Sequence, residues 1–269
     1  MIKPRQKNYL IIFFCLFFLN LSAEILAQSI PYPEALSNAS IVQSSVAHID
    51  TNGIITGNGD INALIYSEDD GLTLHLSKND AWDARLITKD DPPLLDVDVP
   101  AHSWTGGGRP ESWNYPYPTQ SPPAVVRILS TGETVKSVTN LQRGKVSVIS
   151  ENGETIIRAL AQKNVFFFET ERPLRLEGFP QSFLPESEQI QTESGIAVKQ
   201  VFPGDPDYPG MEVVTVLESR KGKHAVAMVT SRESENPLED AVQLVKGVLD
   251  QPPAAVIQAH EDIWEEFWA

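Results

Sequence analysis

Short strand-like segments separated by turn residues constrain this chain more than any other feature. They recur as Ile41–Ile49, Ile61–Tyr66, Leu72–Leu76, Ala124–Leu129, Lys145–Ile149, Thr155–Ala159 and Val165–Glu169. Leu174–Leu176, Ile196–Val201, Met211–Leu217 and His224–Val229 continue the series. Many alternate, as in LTLHL and HAVAMV, with Gly, Asn, Asp or Pro between them. A period of two gives a sheet one apolar and one wet face, the mark of antiparallel pairing. No helix of three turns is evident before residue 235. The strands outnumber those of a minimal immunoglobulin-like sandwich. They predict a mainly β fold, a large two-sheet antiparallel β-sandwich.

The period changes near the C-terminus. Pro237–Asp250 places Leu238, Ala241, Val242, Val245, Val248 and Leu249 on one helical face. Asn236 is positioned as its N-cap, with Pro237 at the first helical position and Glu239 at N3. A break at Gln251–Pro253 precedes a second helix, Ala254–Ala269. There Ile257, His260, Trp264 and Trp268 form a stripe that Val256, Ile263 and Phe267 widen. A large apolar side chain contributes about 1.5–3 kcal/mol when fully buried, so this stripe needs a partner surface. Two partners are open: the sandwich itself, or a domain beyond residue 269. His260 is expected to pack beside Trp264 with one ring nitrogen bonded.

At the other end, Lys3, Arg5 and Lys7 precede the apolar run Tyr9–Leu19, and small residues offer cleavage after Ala23 or Ala27. Residues 1–27 read as a secretory signal peptide, with an uncleaved N-terminal anchor as the rival. The run is too short for a comfortable membrane span. A periplasmic or extracellular location is therefore expected, with no membrane association after cleavage. The single cysteine, Cys15, lies inside the run, so the mature chain would lack a disulfide, a cysteine nucleophile and a thiolate metal site. Domain organisation is read as signal peptide 1–27, sandwich 28–235 and helices 236–269. With 36 acidic against 21 basic residues the net charge is −15, which repels polyanions. Nucleic acid is excluded as an expected partner, whereas a neutral ligand such as a glycan is unaffected.

Two segments carry a resemblance. ITGNGDINALIYSEDDGLTLHLSKNDAWDAR, residues 55–85, resembles the opening motif of the N-terminal domain in secreted bacterial glycoside hydrolases whose β-sandwich precedes an (α/α)6 barrel. The alpha-L-fucosidase-like branch and related sandwich proteins of gut and marine Bacteroidetes are the most similar in character. Gly57, Asn58, Gly59, Asp60, Ile61, Ala63, Leu64 and Tyr66 match the first half of the motif. Leu74, Leu76, Ser77, Lys78, Asn79, Asp80, Trp82 and Asp83 match the second. Ala259, His260, Ile263, Trp264, Phe267 and Trp268 resemble the helix linking sandwich to barrel, with Ile263 where an aromatic is usual. Residues 90–235 match in strand rhythm only.

The resemblance implies a non-catalytic sandwich, with general acid and base in a barrel downstream of residue 269. Enzymatic activity would thus belong to a longer protein acting on a glycan. His260, Trp264, Phe267 and Trp268 become domain-interface residues, and the missing barrel becomes a partner. A stand-alone carbohydrate-binding or structural sandwich is the alternative.

Candidate substrate-binding residues are Asn58, Asp60, Asn79, Asp80, Trp82, Asp83, Trp104 and Trp113. Gly57-Asn58-Gly59-Asp60 reads as a tight turn, because Gly supplies positive φ and Asn tolerates αL. It is either only a turn or also part of the sandwich–barrel junction. Trp82 among Asn79, Asp80 and Asp83 suits sugar recognition, the ring against a pyranose face and the polar groups on hydroxyls. Equally, Trp82 can fill a hole beneath the loop while Asn79 and Asp80 cap backbone amides. Trp104, Trp113, Tyr115 and Tyr117 lie in the Pro- and Gly-rich stretch 99–123, which could stack on a glycan or anchor itself to the sheet. Asp80 with Asp83, or Asp96 with Asp98, could be proposed as the paired carboxylates of glycoside hydrolysis. Such spacing is common in an acidic chain, so no catalytic residue is assigned. The histidines show no HxH or HExxH spacing, no twelve-residue calcium loop is present, and neither a metal nor a cofactor is expected. His75 is expected at a surface or sheet edge.

Overall fold

The computed structural model describes residues 33–47, 49–68, 71–85, 119–129, 134–181, 184–206 and 208–269. Among these, a short helix α1 (Pro33–Asn38) precedes the strands. The larger sheet runs in spatial order β1 (Ile41–Gln43), β8 (Thr134–Asn140), β9 (Lys145–Ser150), β10 (Gly153–Ala159), β11 (Val165–Glu169), β16 (Lys223–Thr230), β15 (Met211–Arg220), β14 (Gly195–Phe202) and β13 (Glu188–Gln191). The smaller runs β12 (Leu174–Gly178), β7 (Ala124–Leu129), β4 (Gly71–Lys78), β3 (Ile61–Glu68) and β2 (Ile54–Gly57). β5 (Trp82–Asp83) and β6 (Thr119–Gln120) form a two-residue ribbon. Neighbouring strands pair antiparallel, and the expected two-sheet sandwich is the observed fold.

The two sheets close over one layer of inward side chains. Ile61, Ala63 and Ile65 of β3, Leu72, Leu74 and Leu76 of β4, and Val126 and Ile128 of β7 meet Phe166 and Phe168 of β11 and Val226 and Met228 of β16. The reverse face of the larger sheet is apolar too. Val165, Phe167, Val214, Val216, Ala225, Ala227 and Val229 point away from the first layer and are buried. Helix α2 (Pro237–Leu249) covers them with Ala241, Val245 and Val248. This two-sided burial explains why VFFF in β11 and VV in β15 run apolar without a break, whereas LTLHL in β4 alternates.

Four expectations need correction. Ile41–Ile49 contributes a strand only at Ile41–Gln43; the chain then turns, with Gln43 Nε2 donating to Asn52 O at 3.0 Å. Asn236 sits at the N-cap position but makes no side-chain cap bond, and Pro237 at N1 leaves one donor fewer to satisfy. His75 lies on β4, the central strand of the smaller sheet, and is half-buried rather than at an edge. Pro253 opens the second helix, α3 (Pro253–Trp268), where a break was expected to extend through it.

α3 crosses the hairpin turns that join β8 to β9 and β10 to β11. Trp264 lies over Gly144, where an added Cβ would stand 2.0 Å from the indole Nε1. Gly144 also has φ +53°, so both backbone and space call for glycine there. Gly144→Ala should displace the Trp264 ring and lower stability by about 1–3 kcal/mol. A lower urea midpoint with red-shifted tryptophan emission is the expected result.

Candidate functional site

The GNGD turn and the KND segment meet at one end of the sandwich. Gly59 has φ +96° with open space around its Cα, so the glycine is required by conformation rather than by packing. Asn58 Oδ1 accepts from Asp60 N at 3.0 Å and Ile61 N at 2.9 Å, closing the turn between β2 and β3. Its Nδ2 donates to Leu160 O and Lys163 O, each at 3.0 Å. One side chain thus shapes a turn of the smaller sheet and ties it to the β10–β11 turn of the larger.

Lys78, the last residue of β4, is 1% exposed, and its ammonium is surrounded by carboxylates. Asp60 lies at 2.8 Å, Glu233 at 2.9 Å and Asp80 at 3.1 Å. Asp80 Oδ1 is an ion-pair neighbour without a directed hydrogen bond. Asn164 Nδ2 donates to Asp60 Oδ2 at 2.6 Å, and Thr230 Oγ1 donates to Asp80 Oδ2 at 2.8 Å. Glu233 Oε2 also accepts from Thr230 N at 3.1 Å. Burial works to lower the Lys78 pKa, but the surrounding carboxylates of Asp60, Glu233 and Asp80 outweigh it and hold it above the ordinary lysine value of 10.5.

The neighbouring candidates are similarly committed. Asn79 Nδ2 donates to Gly59 O, and Asn79 Oδ1 accepts from Asn62 Nδ2 at 3.1 Å. Asp83 is fully buried, with Arg85 bound across both carboxylate oxygens at 2.9 and 2.8 Å. Asp80 and Asp83 are thus each held by a cation in separate networks, which does not fit a pair poised for acid–base work. Trp82 donates through Nε1 to Asn79 O at 2.6 Å and is 43% exposed, so its ring fills no hole beneath the loop. Trp104, Trp113, Tyr115, Tyr117, Asp96 and Asp98 lie outside the described residues. Asn58, Asp60, Asn79, Asp80 and Trp82 come together. Sequence reasoning missed Asn164, Thr230 and Glu233, and no local signal announces them.

The helix residues form a second constellation. His260 is 2% exposed and uses both ring nitrogens, not one. Ala161 N–H can only donate, so Nδ1 accepts from it at 3.3 Å. Nε2 therefore carries the hydrogen and faces Arg143 O at 3.0 Å and Gly144 O at 3.1 Å. Burial holds the His260 pKa below its ordinary 6.5. Trp268 Nε1 donates to Leu141 O at 3.2 Å, while Phe267 is 69% exposed. Among the described residues, no three His, Cys, Asp or Glu side chains are arranged to hold a metal ion.

No family model matches the chain, and no curated protein matches it. Solved structures do match. One, a protein assigned as a kojibiose phosphorylase from the human microbiome, superposes with a TM-score of 0.50 at 12% identity. The match covers 85% of this chain but 35% of that protein, so the chain spans about a third of its length. At this identity the likeness is one of fold.

Two titrations check these networks. Because the folded Lys78 pKa is raised, its contribution is fully present below pH 10.5 and is lost as pH rises through the folded value. Lys78→Met should cost about 2–4 kcal/mol in urea unfolding at pH 7 and flatten this alkaline slope. His260 has a depressed folded pKa, so its contribution is present above pH 6.5 and falls away as pH drops through the folded value. His260→Gln should remove that share of the acid slope, leaving the share of His75 and His224, which burial also holds low.

Proposed function

We propose that this chain is the non-catalytic N-terminal β-sandwich of a secreted glycoside hydrolase, with residues 236–269 leading into an (α/α)6 catalytic barrel. The observation that carries the reading is the shared fold, 85% of this chain against 35% of a protein assigned as a kojibiose phosphorylase. The engaged states of Asp60, Asp80 and Asp83 support it, since each carboxylate is already bound to a cation. General acid and base would lie downstream of Ala269 and act through an oxocarbenium-like transition state. If the acceptor is phosphate rather than water, as the name of the structural neighbour implies for that protein, turnover will require inorganic phosphate.

The second reading, a stand-alone carbohydrate-binding or structural sandwich, is favoured by one observation. His260 and Trp268 hydrogen-bond to the sandwich turns, and Trp264 packs over Gly144. The intact mass of the native protein from its source decides between the two. A mass tens of kilodaltons above 29.7 kDa is expected. A mass at that value, or a few kilodaltons lower, contradicts the multidomain reading.

A further inference from the structure

The outer face of the smaller sheet carries groups that neither the turn network nor the helices use. β3 sends Tyr66 and Glu68 to it, β4 Thr73 and His75, β7 Arg127, and β12 Glu177. Tyr66 stands opposite Thr73, and Thr73 opposite Arg127, so the groups form a continuous cross-strand patch. Thr73 Oγ1 donates to Glu68 Oε2 at 2.5 Å. Arg127 pairs with Glu68 through Nη1 and with Glu177 through Nε at 3.2 Å.

His75 lies between two rings. Tyr66 meets it edge-on with centroids 5.2 Å apart, and Phe179 with centroids 4.8 Å apart. All three rings are half-buried, so each keeps an accessible part. The Tyr66 hydroxyl donates to Glu68 Oε1 at 3.3 Å and stands 3.0 Å from His75 Nε2. With the phenol hydrogen on Glu68, Nε2–H donates to the phenol oxygen, which makes Nδ1 an acceptor. Among the described residues, no partner fills that Nδ1.

Charge narrows the ligand class. Arg127 is balanced by Glu68 and Glu177, and Arg175 lies 3.6 Å from Glu177, so two cations face two anions. Burial also favours the neutral form of His75. Among the described residues these charges cancel on this face, which offers little to a polyanion or to a cation. Fixed donors and acceptors beside ring edges instead suit a molecule with many hydroxyls and an apolar C–H face, and holding them in place beforehand lowers the cost of binding.

We propose that this face binds an uncharged saccharide, with Phe179 and Tyr66 against its C–H surface and His75, Glu68 and Arg127 bonding its hydroxyls. The surface is separate from the Lys78 end of the sandwich, and its binding requires no barrel.

The test is a titration of the 269-residue chain with kojibiose, maltose, cellobiose and xylobiose, and with polygalacturonate as a charged probe. Histidine-ring NMR signals and calorimetry supply the readouts. At least one uncharged probe should shift the His75 ring signals. His75→Ala and Phe179→Ala should each weaken that binding at least about tenfold, while Gln243→Ala, on α2 behind the larger sheet, leaves it unchanged. If either variant fails to fold, the His75 signals of the unaltered chain decide. The proposal is overturned if no uncharged probe moves those signals, if both variants bind as the parent does, or if polygalacturonate binds more tightly. A failure here leaves the native mass as found, so it is distinguishable from failure of the multidomain reading.

Discussion

A single buried ammonium organises one end of this protein. Lys78 gathers Asp60 from the β2–β3 turn, Asp80 from just beyond its own strand, and Glu233 from the segment entering α2. Removing a lysine from water is costly, and here hydrogen-bonded carboxylates offset that cost. Three carboxylates around one cation leave the cluster acidic, and Asn164 and Thr230 supply the additional donors that stabilise it. The cluster joins parts of both sheets and the start of the helical segment. It therefore fixes where the chain enters α2.

The sandwich is unequal on its two outer faces. The larger sheet is covered by α2 and is apolar on both sides, so its strands contribute to two cores. The smaller sheet keeps an outer face of Tyr66, Glu68, Thr73, His75 and Arg127, joined by cross-strand polar contacts. α3 occupies a third position, crossing the hairpin turns through His260, Trp264 and Trp268 while Phe267 remains exposed. Packing on the sandwich and presenting a surface to another domain are thus compatible roles for one helix.

What the sequence revealed follows the range of the physics involved. The period-two segments and the apolar face of Pro237–Leu249 are local patterns, and both were legible. β13 (EQIQ) has one apolar residue and lies at a sheet edge, so it left almost no pattern. β2 was hidden because its four residues run straight into the GNGD turn. The GNGD and KND motifs were visible as polar turns, but their chemistry was not. The Thr230–Asp80 bond joins residues 150 apart, and the Asn58–Leu160 bond residues 102 apart. No window of sequence contains both halves of such a contact. Of the described residues read as sugar ligands, Asn58, Asp60, Asn79, Asp80 and Asp83 are each bound to other groups of the protein, and Trp82 keeps a substantially exposed ring.

This arrangement engages the signature residues in holding the sandwich together, which supports the proposal that glycan cleavage belongs to another domain. The most direct test compares two samples on the same oligosaccharide panel: the native protein from its source, and residues 28–269 alone, each with and without inorganic phosphate. The account predicts released sugar or sugar phosphate from the native protein and no turnover by the isolated sandwich. Turnover by residues 28–269, or none by the native protein on any member of the panel, would contradict it.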